Sequence, residues 1–136
     1  MKQLLPEDVS KLIRKARKFL DSAERLIESG DFDSAVSRVY YAMFYGAEAL
    51  LLTRGKAYSR HQGVISAFGR YFVRTGIFSV EMQRWLADAF EDRNLADYAV
   101  GTGIDKKRAE ERLQRGRIFI QRIVDYLNDP SCRSLG

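Results

Sequence analysis

Between Pro6 and Pro130 the chain contains no proline, so nothing in that stretch must break a helix for want of a backbone N–H. Over the same stretch apolar residues recur at three- and four-residue steps, and no segment shows the two-residue alternation of a strand. Val9, Leu12, Ile13, Ala16, Phe19, Leu20, Ala23, Leu26 and Ile27 make one such stripe, with Lys11, Arg14, Lys15, Arg17 and Lys18 largely off it. Pro6 suits the first turn of that helix and Gly30 its stop. Asp31 or Asp33 then caps a second helix reaching about Thr53. This one is apolar on nearly every face through Phe32, Val36, Val39, Tyr40, Met43, Phe44, Ala47, Leu50 and Leu51, which places it in the middle of a bundle.

Ser59 with Gln62 reads as a capping box for a third helix that runs to about Thr75 and stops at Gly76. Ser79 opens a fourth, with Val80, Met82, Trp85, Leu86, Ala89 and Phe90 inward, fraying from Tyr98 to Gly103. Asp105 caps the last, whose inner face carries Ala109, Leu113, Gly116, Ile120, Ile123, Val124 and Leu127. The expectation is an all-α fold: an antiparallel up-and-down bundle of four long helices with a shorter fifth. It forms one domain over residues 1–128, followed by a loose tail at 129–136.

Composition removes most enzyme classes. The single cysteine, Cys132, excludes a disulfide framework and a thiolate cage. A single histidine, His61, cannot supply a transition-metal site, so neither metal nor cofactor is expected. There is no phosphate-binding glycine loop with lysine, no dinucleotide fingerprint, no G-x-S-x-G and no H-E-x-x-H. The longest unbroken apolar run, Val39 to Ala47, is far short of the roughly 18 residues of a membrane span. With no secretory start, the expectation is a soluble cytoplasmic protein without membrane contact.

Charge is unevenly distributed. Lys and Arg exceed Asp and Glu by 23 to 18, and 16 of the 23 are arginine, the side chain suited to bidentate phosphate contact. Between Glu48 and Glu81 there is no acidic residue, whereas Arg54, Lys56, Arg60, Arg70 and Arg74 all fall there. His61, Tyr58, Phe68, Tyr71 and Phe72 are interleaved with them. Arg54, Arg60, His61, Arg70 and Arg74 are therefore candidate nucleotide- or RNA-binding residues. The plainer reading is a solvated face whose arginines pair with acids elsewhere. A second group, Arg38, Tyr41, Tyr45 and Glu48, advances by three, four and three, so it lies along one stripe of the apolar second helix. That stripe is either a buried polar network, the favoured reading, or the lining of a ligand groove.

Several segments together resemble one family. They are Ala35-Val36-Ser37-Arg38-Val39-Tyr40-Tyr41-Ala42-Met43-Phe44 followed by Glu48-Ala49-Leu50-Leu51, then Arg60-His61-Gln62-Gly63-Val64-Ile65 and Phe68. Phe72-Val73-Arg74-Thr75-Gly76, Arg93 and Asp97-Tyr98 follow. From about Ala16 to Leu127 the chain resembles the small stand-alone prokaryotic branch of the HEPN family. The resemblance implies a helical bundle that forms a homodimer, often encoded beside a small nucleotidyltransferase. It also implies that a subset are metal-independent ribonuclease toxins, in which an arginine and, four to six residues later, a histidine act on the RNA phosphodiester.

At that place this chain reads Arg93-Asn94-Leu95-Ala96-Asp97-Tyr98, with tyrosine where the shortest motif has histidine. Tyrosine, with an unperturbed pKa of about 10, is a poor base near neutral pH. Asp97, one residue earlier, points about 100° away from it on a helix and is spaced to pair with Arg93 instead. Arg93, Asp97 and Tyr98 are thus weak catalytic candidates. Arg54 and His61 satisfy the spacing too, but across the loop between the second and third helices, where His61 can simply hydrogen-bond across the loop. Three functions remain: a dimeric nucleotide- or RNA-binding module with a nucleotidyltransferase partner, a metal-independent ribonuclease toxin, and a protein–protein interaction module with no nucleic-acid role.

Overall fold

A computed structural model describes residues 5–98 and 103–129. Five helices follow in order: α1 (Glu7–Glu28), α2 (Phe32–Leu52), α3 (His61–Phe68), α4 (Val80–Tyr98) and α5 (Lys106–Leu127). A π-helical turn, Gly69–Val73, continues α3. The architecture is the antiparallel bundle of four long helices and one short one that the periodicity predicts. Among the described residues no helix is long and apolar enough to cross a membrane.

α2 occupies the centre because it can bury nearly every face, and it packs on α1, α3, α4 and α5. Ala35, Val36, Val39, Tyr40, Ala42, Met43, Ala47, Ala49, Leu50 and Leu51 are all at most 1% exposed. The α1–α2 corner closes through Gly30 at φ +85°, a left-handed conformation that glycine adopts without steric cost. Asp31 caps α2, its carboxylate accepting from the Ser34 N–H at 3.2 Å. Between α2 and α5 the backbones approach closely: a Cβ at Gly46 would stand 2.6 Å from Ile120 Cδ1. On α5, a Cβ at Gly116 would stand 2.9 Å from Leu20 Cδ2 and 3.0 Å from Val39 Cγ1.

Two local expectations are corrected. Ser59 does not cap α3: Arg60 holds the cap position, with no side-chain hydrogen bond to the helix. The third helix is also not a uniform α-helix to Thr75, because from Gly69 it widens into the π turn before Gly76 at φ +83° ends the segment. Elsewhere Ser79 Oγ accepts from the Met82 N–H at 3.3 Å and Asp105 from the Arg108 N–H at 2.9 Å, the caps read from the sequence. The fraying expected from Tyr98 to Gly103 falls mostly on 99–102, and the loose tail on 130–136, outside the described residues.

Candidate functional site

α1, α2 and α4 enclose a groove of about 420 Å³, lined by Phe19, Asp33, Ser34, Ser37, Arg38, Tyr41, Tyr45, Ala96 and Asp97. Three of its walls are aromatic, and a cation lies on each ring. The Arg38 guanidinium is 4.7 Å from the Phe19 centroid, Lys15 Nζ 4.6 Å from that of Tyr45, and the Arg93 guanidinium 5.5 Å from that of Tyr41. Arg38 is exposed, and among the described residues no carboxylate comes within 4.0 Å of it.

This corrects the favoured reading of the Arg38, Tyr41, Tyr45 and Glu48 stripe as one buried network. Arg38, Tyr41 and Tyr45 line the groove, while Glu48 lies some 15 Å along α2 from Arg38, at the helical rise of about 1.5 Å per residue. Glu48 lines a separate small pocket with Leu12, Leu51, Lys56 and Tyr58. There burial holds its carboxyl above the usual range, with Lys15 pulling the other way.

Behind the groove, Arg93 is held in place. Its Nη2 donates to Tyr41 Oη at 2.9 Å, its Nη1 to Asn94 Oδ1 at 3.1 Å, and its Nε stands 3.0 Å from Asp97 Oδ2. Asp97 also accepts from Ser37 Oγ at 3.2 Å, tying α4 to α2. The i, i+4 spacing thus yields a direct Arg93–Asp97 pair. The side chain of Tyr98 lies outside the described residues.

His61 does not pair with Arg54. As the first residue of α3 it sits in an aromatic cage of Tyr40, Tyr41, Phe44 and Phe90, stacked on Phe44 at 4.4 Å. Its Nδ1 is 2.6 Å from Tyr40 Oη, so its partner across the loop is a side chain of α2. Burial, then the nearby positive charge of Arg93, push the imidazole pKa below its ordinary value. Burial likewise pushes the Tyr40 hydroxyl well up, so it keeps its proton. The fold therefore brings His61 and Arg93, distant in sequence, each into contact with Tyr41 and within electrostatic reach of each other. Sequence spacing carries no signal for this convergence, nor for Tyr40 as the hydrogen-bond partner of His61.

The remaining basic candidates take other partners. Arg54 lies over the Phe72 ring at 4.5 Å and its Nη1 donates to the Tyr71 carbonyl at 3.5 Å. Arg70 stands 5.2 Å from the Tyr71 ring, and Arg60 and Arg74 are exposed. Among the described residues there is no group of three or more His, Cys, Asp or Glu that could hold a metal ion.

The pattern described as the HEPN domain matches residues 9–127. A protein of Methanocaldococcus jannaschii named "Putative toxin MJ0142" is 40% identical over 120 residues, 88% of this chain and 82% of that one. A "UPF0332 protein" of Thermotoga maritima is 35% identical over 116 residues, 85% of this chain and 88% of that one. In structure, the chain is similar to TT1696 from Thermus thermophilus, with a TM-score of 0.75 and 15% identity over 88% of this chain and 98% of that one. That last likeness speaks to the fold alone. The span of the domain match and the identity to these relatives agree with the bundle and its motifs: the chain belongs to the HEPN family.

Proposed function

We propose that this HEPN protein is a nucleotide- or RNA-binding module whose ligand occupies the groove between α1, α2 and α4. The supporting observation is the pairing of each aromatic wall with a cation, one of which, Arg38, has no carboxylate within 4.0 Å among the described residues. Ring edges that the stacked cations leave open accommodate a base, and a guanidinium with no carboxylate partner accommodates a phosphate. A homodimer and a small nucleotidyltransferase partner belong to the same reading and rest on the family resemblance.

A second reading, a metal-independent ribonuclease, draws on the shared contact of His61 and Arg93 with Tyr41 and on relatives whose names read "Putative toxin". The hydrogen bond to Tyr40 weighs against it. Tyr40 is 0% exposed, and a buried hydroxyl proton needs an acceptor, which His61 Nδ1 supplies at 2.6 Å. On that assignment the neutral imidazole carries its proton on Nε2. It then offers a hydrogen-bond donor to a phosphate oxygen rather than a lone pair to take a 2′-hydroxyl proton. Arg93, already engaged by Asp97 and Tyr41, is a fixed part of the wall.

The test is the affinity for a fluorescent single-stranded oligoribonucleotide in chelator, for wild type and Arg38→Ala, with RNA integrity followed in the same tubes. Binding that weakens about tenfold or more in Arg38→Ala, with intact RNA, supports the reading. Cleavage that disappears in Arg93→Ala establishes the ribonuclease instead.

A further inference from the structure

The groove leaves unused a second set of cations, on the α2–α3 loop and the π-helical turn. We propose that this face is a separate phosphate track for single-stranded RNA, an extension that rests on the RNA side of the groove reading.

Four observations support it. Tyr71 is flanked by Lys56 Nζ at 4.5 Å and Arg70 at 5.2 Å, while Arg54 lies 4.5 Å over the neighbouring Phe72. Arg74, one turn beyond Arg70, is exposed beside them. Among the described residues none of these cations, nor Arg60, has a carboxylate within 4.0 Å, so no direct ion pair occupies their donors. The π turn, a widened segment of the kind found often at functional sites, is what places Arg70, Tyr71 and Phe72 against the loop that carries Arg54 and Lys56.

The chemistry selects the ligand. Cations already stacked on the rings hold those faces against bases but keep their N–H donors for phosphate oxygens, and part of the ordering cost is met before binding. Recognition is therefore of backbone, not of sequence. An acidic protein is the poorer fit, because an interface of that kind is built around an apolar centre. Here the stretch from Arg54 to Arg74 exposes only one large hydrophobic residue, Tyr58, among the described residues. The two sites are joined through α3: His61 touches Tyr41 of the groove wall, and the far end of the π turn lies roughly 20 Å away at 1.5 Å per residue. A dinucleotide then reaches only the groove, whereas a longer strand reaches both.

The experiment compares wild type, Lys56→Gln/Arg70→Gln/Arg74→Gln and Arg38→Ala, each checked for an unchanged melting curve. Arg54 is kept because it packs on buried Phe72. Affinities are measured for a dinucleotide and a 20-nucleotide single strand between 50 and 200 mM salt, with polyaspartate as competitor. The triple variant is expected to bind the dinucleotide as wild type does. It should lose about tenfold on the 20-mer, with a log–log salt slope smaller by about 2, near 0.7 for each lost phosphate contact. Equal loss on both lengths, no loss on either, or polyaspartate competing as well as RNA would overturn the track. A dinucleotide affinity unaltered by Arg38→Ala, alongside the length-dependent loss, would remove the groove and leave the track standing.

Discussion

Asp92 is the one charged residue buried in the bundle among the described residues. It is 1% exposed and is held by α5 through two arginines, Arg108 Nη2 to Oδ1 at 2.6 Å and Arg112 Nε to Oδ2 at 2.5 Å. The cluster ties α4 to α5, alongside the Arg115–Asp88 pair at 3.3 Å and the Arg122 guanidinium 5.5 Å from the Trp85 ring. Asp92→Asn keeps the shape but turns an amide N–H₂ toward one guanidinium and removes the charge. Breaking a buried pair by altering one partner costs about 3–5 kcal/mol. The arginine side chains retain 38% and 14% exposure and can regain water, which puts the cost near the lower end, about 3 kcal/mol. With an unfolding entropy near 2.1 cal/mol/K per residue, roughly 0.29 kcal/mol/K for 136 residues, that is a fall in Tm of about 10 °C. Calorimetry or circular dichroism reads it. The double variant Asp92→Leu/Arg112→Leu should recover part of the loss, since it removes the more buried arginine with the carboxylate and leaves only Arg108, at 38% exposure, to be solvated. A fall of under 2 °C in Asp92→Asn would refute the reasoning.

Tyr40→Phe removes a buried hydroxyl whose hydrogen bond goes to His61, and a loss of about 1–1.5 kcal/mol in urea unfolding is expected. A change within error would show that bond to be energetically idle. Because the chain has one histidine, its imidazole titration is readable directly by NMR, with a midpoint below 6.5. Arg93→Gln should move that midpoint upward, as one of the two causes of the depression is removed. Glu48 has a folded pKa above its unfolded value, so its contribution to stability is present at low pH and lost as pH rises through the folded pKa. Glu48→Gln should therefore melt higher than wild type at pH 7, with the difference closing toward pH 4.

The bundle was legible because its signal is local and repeated. A helix apolar on nearly every face, as α2 is, has only one place to go, and the caps at Asp31, Ser79 and Asp105 are chemistry confined to one turn. Where a local cue met a tertiary demand the cue lost. Ser59 and Gln62 have capping-box spacing, but the loop enters α3 one residue later so that His61 can reach Tyr40. Arg38 looked buried because its helix is apolar, yet its turn of α2 borders the groove and leaves it in solvent. Asp92 carried a signal that went unused: it continues the inward spacing of Met82, Leu86 and Ala89, where a carboxylate must find cations. The convergence of His61 and Arg93 on Tyr41 had no such signal, because α3 and α4 must both pack on α2 before the two share that residue.

The groove is the central claim, and the titration of the protein with a fluorescent dinucleotide in chelator, for wild type and Arg38→Ala, tests it most directly. Saturable binding that weakens as salt rises, falls about tenfold in Arg38→Ala and leaves the ligand uncleaved is the predicted result. Equal affinity of the two proteins, or no binding at any salt, would contradict it.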